Sequence, residues 1–223
     1  EVDVGMGRCG VSAGRPALEL ARKTVALPGL RFVGIQAYEG HAVYSNDVDQ
    51  RAGMVHEAME LAVSTRRLIE DDGIPVSVIS GGSSSTYKIT GLIDGIDEIQ
   101  AGSYVFSDTA YRRVVPEFEL ALHLVATVLN VTPAYAVADA GLKALGMDHG
   151  SPAIEGAEVW FCSDEHVTFA LSGGATLTPG DRVLVQPAHI DPTIAYHEVM
   201  HVADGPGLDA RLVDAWPVDL RGW

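Results

Sequence analysis

The chain has 223 residues, 47% hydrophobic, 20% charged and 7% aromatic, and its 30 acidic against 15 basic residues leave a formal charge of −15. That length holds one or two domains with a real core; the apolar fraction excludes wholesale disorder, and two distant cysteines, Cys9 and Cys162, exclude a disulfide scaffold. No apolar run reaches the roughly 18 residues of a membrane span, no cationic leader is visible, and no Lys/Arg cluster serves a nucleic acid, which implies a soluble, cytoplasmic protein with a solvated acidic surface and neither membrane nor nucleic-acid partners. The sequence opens on a strand (2–4) and the loop GMGRCG (5–10), with no Met at its head, and reads as the later part of a longer protein. A helix follows over 15–27, closed by Pro28-Gly29, and then a short apolar strand over 31–37. Asn46 or Asp47 can cap a long helix to about 71, with Ala52, Val55, Met59, Ala62 and Val63 at helical spacing. Gly73-Ile74-Pro75 breaks it, 76–79 is a strand, 81–85 is a loop of small residues, and 98–100 and 104–106 flank another tight glycine-containing segment. This alternation predicts a parallel sheet with helices outside it, whose functional residues stand at the C-terminal ends of the strands. Near 115 the rhythm changes. Segments 118–131, 135–138, 157–161, 167–171 and 182–186 read as strands separated by turn signals such as Gly173-Gly174 and Pro179-Gly180-Asp181, which predicts a mostly antiparallel β domain over 115–223.

Three motifs carry chemistry. The loop Ser80-Gly81-Gly82-Ser83-Ser84-Ser85-Thr86 follows a strand, and its small residues allow backbone N–H groups to approach an anion while hydroxyls add donors. It is neither a Walker loop nor a dinucleotide fingerprint, and reads as a phosphate cradle or as a flexible turn. Gly102-Ser103 ends the next strand segment and could face the same anion. The second motif is His189-Ile190-Asp191: in an extended segment residues i and i+2 point to one side, so imidazole and carboxylate could share a cation. The third, His197-Glu198-Val199-Met200-His201, matches the H-E-x-x-H pattern of zinc peptidases. That pattern needs a helix and a third ligand. Pro192 before it and Gly205-Pro206-Gly207 after it leave barely three turns, so both histidines are expected on a solvent-facing edge of the β domain.

Eight stretches taken in order resemble one family: EVDVGMGRCGV (1–11), PGLRFVGIQAYEG (28–40), VISGGSSSTY (78–87), EIQAGSYVFSDTAY (98–111), DAGLKALGMDHGSP (139–152), SDEH (163–166), AHIDPT (188–193) and WPVDLRGW (216–223). They are similar to the D-threonine aldolase and D-serine dehydratase branch of the pyridoxal-phosphate enzymes with the alanine-racemase-like barrel. The resemblance implies an α/β fold, a partial TIM-type (β/α) barrel followed by a mostly antiparallel β domain: residues 1–114 would be the C-terminal portion of the cofactor-binding barrel, and 115–223 a β domain with the metal-binding segment. It places Arg8 at the edge of cofactor or substrate, Tyr38 against the pyridine ring, and Gly81, Gly82, Ser83, Ser84, Gly102 and Ser103 around the phosphate. His189 and Asp191 would bind a divalent metal. In the dehydratases this pair is His-x-Cys and binds zinc. In the aldolases it is His-x-Asp, a harder site that favours manganese or magnesium and tolerates zinc. Asp191 therefore points to an aldolase acting on D-3-hydroxy amino acids, with the dehydratase reaction as the alternative and a homodimer implied by resemblance alone. The family attaches its cofactor to a lysine near the end of the first barrel strand; none of Lys23, Lys88 and Lys143 has that context, so the first strands and that lysine are expected outside this chain, which by itself would be inactive. A non-catalytic remnant and an H-E-x-x-H peptidase are the remote alternatives. The implied reaction is a retro-aldol cleavage giving glycine and an aldehyde, with His189 and Asp191 acting through the metal on the 3-hydroxyl, and with His41, His149 and His166 as unranked candidates for the base.

Overall fold

A computed structural model describes residues 1–173 and 176–221. Gly174 of the predicted turn and the last two residues of the WPVDLRGW stretch lie outside the described residues. The chain divides between Gly102 and Ser103 into two units, each taken by itself below. No helix among the described residues is long and apolar enough to cross a membrane.

In the first unit, β1 (Val2–Asp3) pairs in parallel with β2 (Val11–Ser12). Then follow α1 (Arg15–Ala26), β3 (Gly34–Ala37), a 3-10 turn (Gly40–Ala42), α2 (Val48–Asp71), β4 (Val78–Gly81), α3 (Tyr87–Thr90) and β5 (Glu98–Ile99). The strands β3, β4 and β5 form a parallel sheet in that order, with Ile35 opposite Ile79 and Gly81 opposite Ile99. Asp47 rather than Asn46 caps α2, accepting from the Gln50 N–H at 2.9 Å. The inner face of α2 puts Val55, Ala58, Met59, Ala62 and Ile69 into a core with Ile35, Ala37 and Ile79. Buried Thr65 on α2 accepts the Gly14 N–H at 2.9 Å, which ties the start of α1 to the middle of α2. At the other end of these helices Arg22 forms a two-pronged ion pair with Asp72.

The second unit begins with a 3-10 turn (Ser103–Val105) and with α4 (Thr109–Val114), capped by Asp108 through the Tyr111 N–H at 2.8 Å. Six strands make one antiparallel sheet: β6 (Leu124–Val131), β7 (Ala136–Ala138), β8 (Ala153–Ile154), β9 (Ala157–Cys162), β10 (Val167–Leu171) and β11 (Arg182–Gln186), in the order β8-β11-β6-β7-β10-β9. The two end strands, β8 and β9, are consecutive in the chain and touch each other, so the sheet curls nearly closed. Its interior is Val128, Ala138, Leu145, Val167, Phe169 and Val185. The strand expected from 118 begins only at Leu124, because the Phe118 N–H turns back to the Val115 carbonyl and the Ala121 N–H goes to the Phe106 carbonyl. After β11 come a short helix, α5 (Ile190–Ala195), and a hairpin of β12 (Val199–Ala203) with β13 (Leu212–Pro217).

Phe169 is fully buried, and Phe169→Ala is expected to cost about 3–5 kcal/mol of stability in urea unfolding. The Arg22 guanidinium holds the Asp72 carboxyl below its ordinary range. A lowered folded pKa contributes stability that is present above the unfolded value and lost as pH falls through the folded one. The melting-temperature difference between wild type and Arg22→Gln should therefore be seen at neutral pH and shrink towards zero in acid.

Candidate functional site

The strands β3, β4 and β5 run in parallel, so the residues following them gather at one end of the sheet: Tyr38 and Glu39 after β3, Gly82 to Thr86 after β4, and Gln100 to Gly102 after β5. Gly82 has φ +77°, a left-handed conformation that glycine adopts without strain, and it turns the loop inward. Its N–H donates to Glu39 Oε2 at 2.8 Å, while the Thr86 and Thr90 hydroxyls donate to Glu39 Oε1 at 2.7 and 3.1 Å. Glu39 is fully buried; three donors on one carboxylate replace the water it has lost. The Ser83 N–H goes to Thr86 Oγ1 at 2.9 Å, and the Ser83 hydroxyl pairs with those of Ser85 and Thr86. The loop is thus a folded, buried structure, and the amides of Gly82, Ser83, Ser85 and Thr86 serve its own architecture. Ser84 is buried, and the space around the Gly102 Cα is open. Arg8 lies over the Tyr38 ring, 5.6 Å from its centroid, and reaches Glu1 at 3.5 Å, so these two predicted residues meet. Ser103 opens the second unit. His41 packs its ring against Gly5 in the first unit, and His166 sits in the turn between β9 and β10.

In the second unit, His189 and Asp191 come together, for a reason other than the one expected. The segment is extended only at His189, the residue before α5; Asp191 lies in the first turn of that helix. Nε2 of His189 is 3.1 Å from Asp191 Oδ2, and Nδ1 is 2.7 Å from Asp148 Oδ2. The His149 ring stacks on His189 with centroids 3.7 Å apart, and its Nε2 is 3.6 Å from the same Asp148 oxygen. Asp148, His149 and His189 offer ligand atoms that lie within 4.8 Å of one another. The backbone beneath is fixed. The Gly146 N–H donates to Thr193 Oγ1 at 2.9 Å, the Thr193 hydroxyl donates to the His189 carbonyl at 2.6 Å, and Gly146 bridges to His189. A Cβ on Gly146 would stand 2.2 Å from Pro192 Cγ, so only glycine lets the two segments close up. The Ile190 N–H reaches buried Asp108 at 3.2 Å. Burial works against a charge on His189, but the hydrogen bonds and charges of Asp191 and Asp148 outweigh it and raise its pKa. The His189 hydrogen bond lowers that of Asp191. Burial first, then the His189 charge, lowers that of His149.

The histidines of HEVMH lack the helix their pattern requires. His201 is exposed on β12, and His197, in the turn before it, gives Nε2 to the Ala144 carbonyl at 2.9 Å. The strand β12 belongs to the separate two-stranded hairpin and not to an edge of the larger sheet. Lys23 and Lys88 are exposed, and Lys143 pairs with Glu165 at 2.5 Å. Two residues at the heart of the geometry, Glu39 and Asp148, carried no assignment from sequence. Both lie inside quoted family stretches, Glu39 between Tyr38 and Gly40, and Asp148 before His149.

Residues 1–110 match the family described as "Alanine racemase, N-terminal domain", and residues 121–203 match "Putative serine dehydratase domain". The chain is 34% identical over 232 residues to the D-threonine aldolase of Arthrobacter sp., covering 100% of this chain and 60% of that protein. It is 33% identical over 236 residues to the 3-hydroxy-D-aspartate aldolase of Paracoccus denitrificans (strain Pd 1222), covering 100% and 59%. Among solved structures it superposes on the D-threonine aldolase from Filomicrobium marinum with a TM-score of 0.91 at 31% identity, over 98% of this chain and 61% of that one. The chain thus spans about 60% of the length of the curated relatives it matches. Motif order, fold and identity along its whole length agree, and the chain is a homologue of D-threonine aldolase and 3-hydroxy-D-aspartate aldolase with the alanine-racemase-like fold.

Proposed function

We propose that the protein carrying this chain is a pyridoxal-phosphate- and divalent-metal-dependent lyase that cleaves D-3-hydroxy amino acids, D-threonine among them, to glycine and an aldehyde. The carrying observation is the convergence of His189 Nε2 and Asp191 Oδ2, 3.1 Å apart, in a chain 34% identical throughout to a D-threonine aldolase. Two donors held at about 2.1 Å from one ion and at right angles stand about 3 Å apart, so this separation fits a shared cation. Imidazole with carboxylate is a hard to borderline donor set, which favours manganese or magnesium over zinc. Asp191 is exposed, which leaves coordination positions for water and a substrate oxygen. There the cation would act as a Lewis acid that lowers the pKa of the substrate's 3-hydroxyl.

The end of the parallel sheet fits pyridoxal phosphate in the kind of groups it offers. Glu39 shapes the glycine-hydroxyl loop in advance by taking the Gly82 N–H and two threonine hydroxyls. In this reading the glycine-hydroxyl loop Gly81 to Ser84, with Gly102 and Ser103, holds the phosphate, with Arg8 and Tyr38 at the ring and substrate edge. When bound, the cofactor supplies an electron sink for the charge left on Cα as the Cα–Cβ bond breaks. The chain's residues would orient the 3-hydroxyl through His189 and Asp191 and accept its proton. Of the three histidines considered for that step, His149 belongs to the carboxylate–imidazole cluster, and burial and the His189 charge lower its pKa, which favours the neutral ring that a base needs.

With D-threonine, the protein carrying this chain should yield glycine and acetaldehyde, lose activity to a chelator and regain it with manganese. Keto acid and ammonia as the main products would make it a dehydratase. Asp191→Ala should weaken manganese binding steeply in a metal titration, since a ligand and its charge are lost together. His201→Ala, on the hairpin, should leave metal content unchanged; loss of metal there would return HEVMH to consideration.

A further inference from the structure

The proposed ligand pair leaves Asp148 without a role, yet its carboxylate makes the shortest contact in the cluster, 2.7 Å from His189 Nδ1. We propose that Asp148 is the positioning residue that fixes the tautomer and ring orientation of His189, so that Nε2 is presented to the cation as a bare lone pair. The proposal rests on the reading of His189 and Asp191 as metal ligands.

A carboxylate accepts hydrogen bonds and cannot donate them. At 2.7 Å the contact has the length of a charge-assisted N–H···O bond, so the proton belongs on Nδ1. A neutral imidazole carries one N–H, and with that hydrogen on Nδ1 the other nitrogen is unprotonated and free to bind a metal. Carboxylate, imidazole and ion in line is the arrangement by which outer partners orient a ligating histidine and raise its basicity. Two further constraints hold the ring. His149 stacks on its face at 3.7 Å between centroids. Gly146, two residues before Asp148, bridges to His189 and bonds Thr193, which in turn bonds the His189 carbonyl. The single segment 146–149 therefore fixes the backbone, the ring plane and the ring nitrogen of His189. Turned over about Cβ–Cγ, the ring would put a carbon, Cδ2, where Nδ1 stands and lose the Asp148 bond, so the carboxylate disfavours that state.

The experiment titrates the protein carrying this chain with manganese and, with magnesium as a diamagnetic probe, reads the His189 tautomer from imidazole 15N NMR, for wild type, Asp148→Asn and Asp148→Leu. Wild type should show a protonated Nδ1. Asp148→Leu should bind manganese about 10–100-fold more weakly and lose that signature. Asp148→Asn keeps a carbonyl acceptor, and should retain the signature and recover much of the affinity. Unchanged affinity and tautomer in Asp148→Leu would overturn the proposal. So would an equal, near-complete loss of binding in both variants with Nδ1 still protonated, which would make Asp148 a ligand. Thermal melts check folding, and Asp148→Ala takes the place of the leucine variant if that one does not fold. If the wild-type chain binds no divalent cation at all, the metal reading itself fails, a result distinct from a site that binds the ion without help from Asp148.

Discussion

An imidazole engaged at both nitrogens is the constraint on which the chemistry of the second unit depends. His189 stands between two carboxylates, Asp148 at 2.7 Å and Asp191 at 3.1 Å. Two negative groups around one ring call for a positive charge between them, whether a proton or a metal ion, and the raised pKa of His189 is the protonic expression of that demand. The surroundings are arranged to keep the ring there. Asp108, buried at the start of α4, takes the Ile190 N–H, and Thr193 closes back on the His189 carbonyl. Burial raises the pKa of Asp108, and the backbone N–H groups of Tyr111 and Ile190 oppose that rise. The helix α5 is one turn and a half of chain whose place in the fold is to bring a carboxylate beside the ring that precedes it.

The first unit solves a related problem with the opposite charge balance. There an anion, Glu39, is built into the interior, and neutral donors are folded around it: one amide and two hydroxyls. A buried carboxylate without such partners would be strongly unfavourable. With them it becomes a peg that holds the connection after β3 to the connection after β4. The glycines at 81 and 82 follow from this close approach. A Cβ on Gly81 would lie 2.9 Å from the Ala37 carbonyl, and Gly82 needs its positive φ to turn its N–H toward the carboxylate.

Much of this was legible along the chain, since hydrophobic period and turn chemistry are local. The spacing of Val55, Met59 and Ala62 marked α2, the choice between two neighbouring caps was resolved to Asp47, and the change from parallel to antiparallel rhythm was visible near 115, although the contact boundary falls at 102/103. The pairing of His189 with Asp191 was found from a two-residue spacing, but the expected extended backbone was a helix start. The extended backbone ends at His189 and the helix begins at Ile190, and a residue pattern does not mark that change. What escaped was nonlocal. Asp148 meets His189 across 41 residues, and Glu39 meets Gly82 across 43. An acidic residue reads as surface in a chain of net charge −15, and only the fold reveals that Glu39 is buried and that Asp148, though exposed, meets the His189 ring.

The two histidine motifs near the C-terminus make the same point about mechanism. HEVMH has the stronger letter pattern, two imidazoles four apart with a carboxylate between, while HID is a short pairing common in loops. Coordination depends on where donor atoms point, and that is set by the backbone. Spacing of i and i+4 brings side chains together on a helix. On β12 the sequence alternates exposed and half-buried positions in register with β13, so the four-residue spacing carries His201 along the strand and away from His197, whose ring is already engaged by the Ala144 carbonyl. Thr193 and Gly146 meanwhile fix the turn that sets His189 and Asp191 side by side. The weaker pattern is the one with donors converging, because three residues that bind no ion hold its backbone: Gly146 by having no side chain, Thr193 through its hydroxyl, and Asp108 through its buried carboxylate.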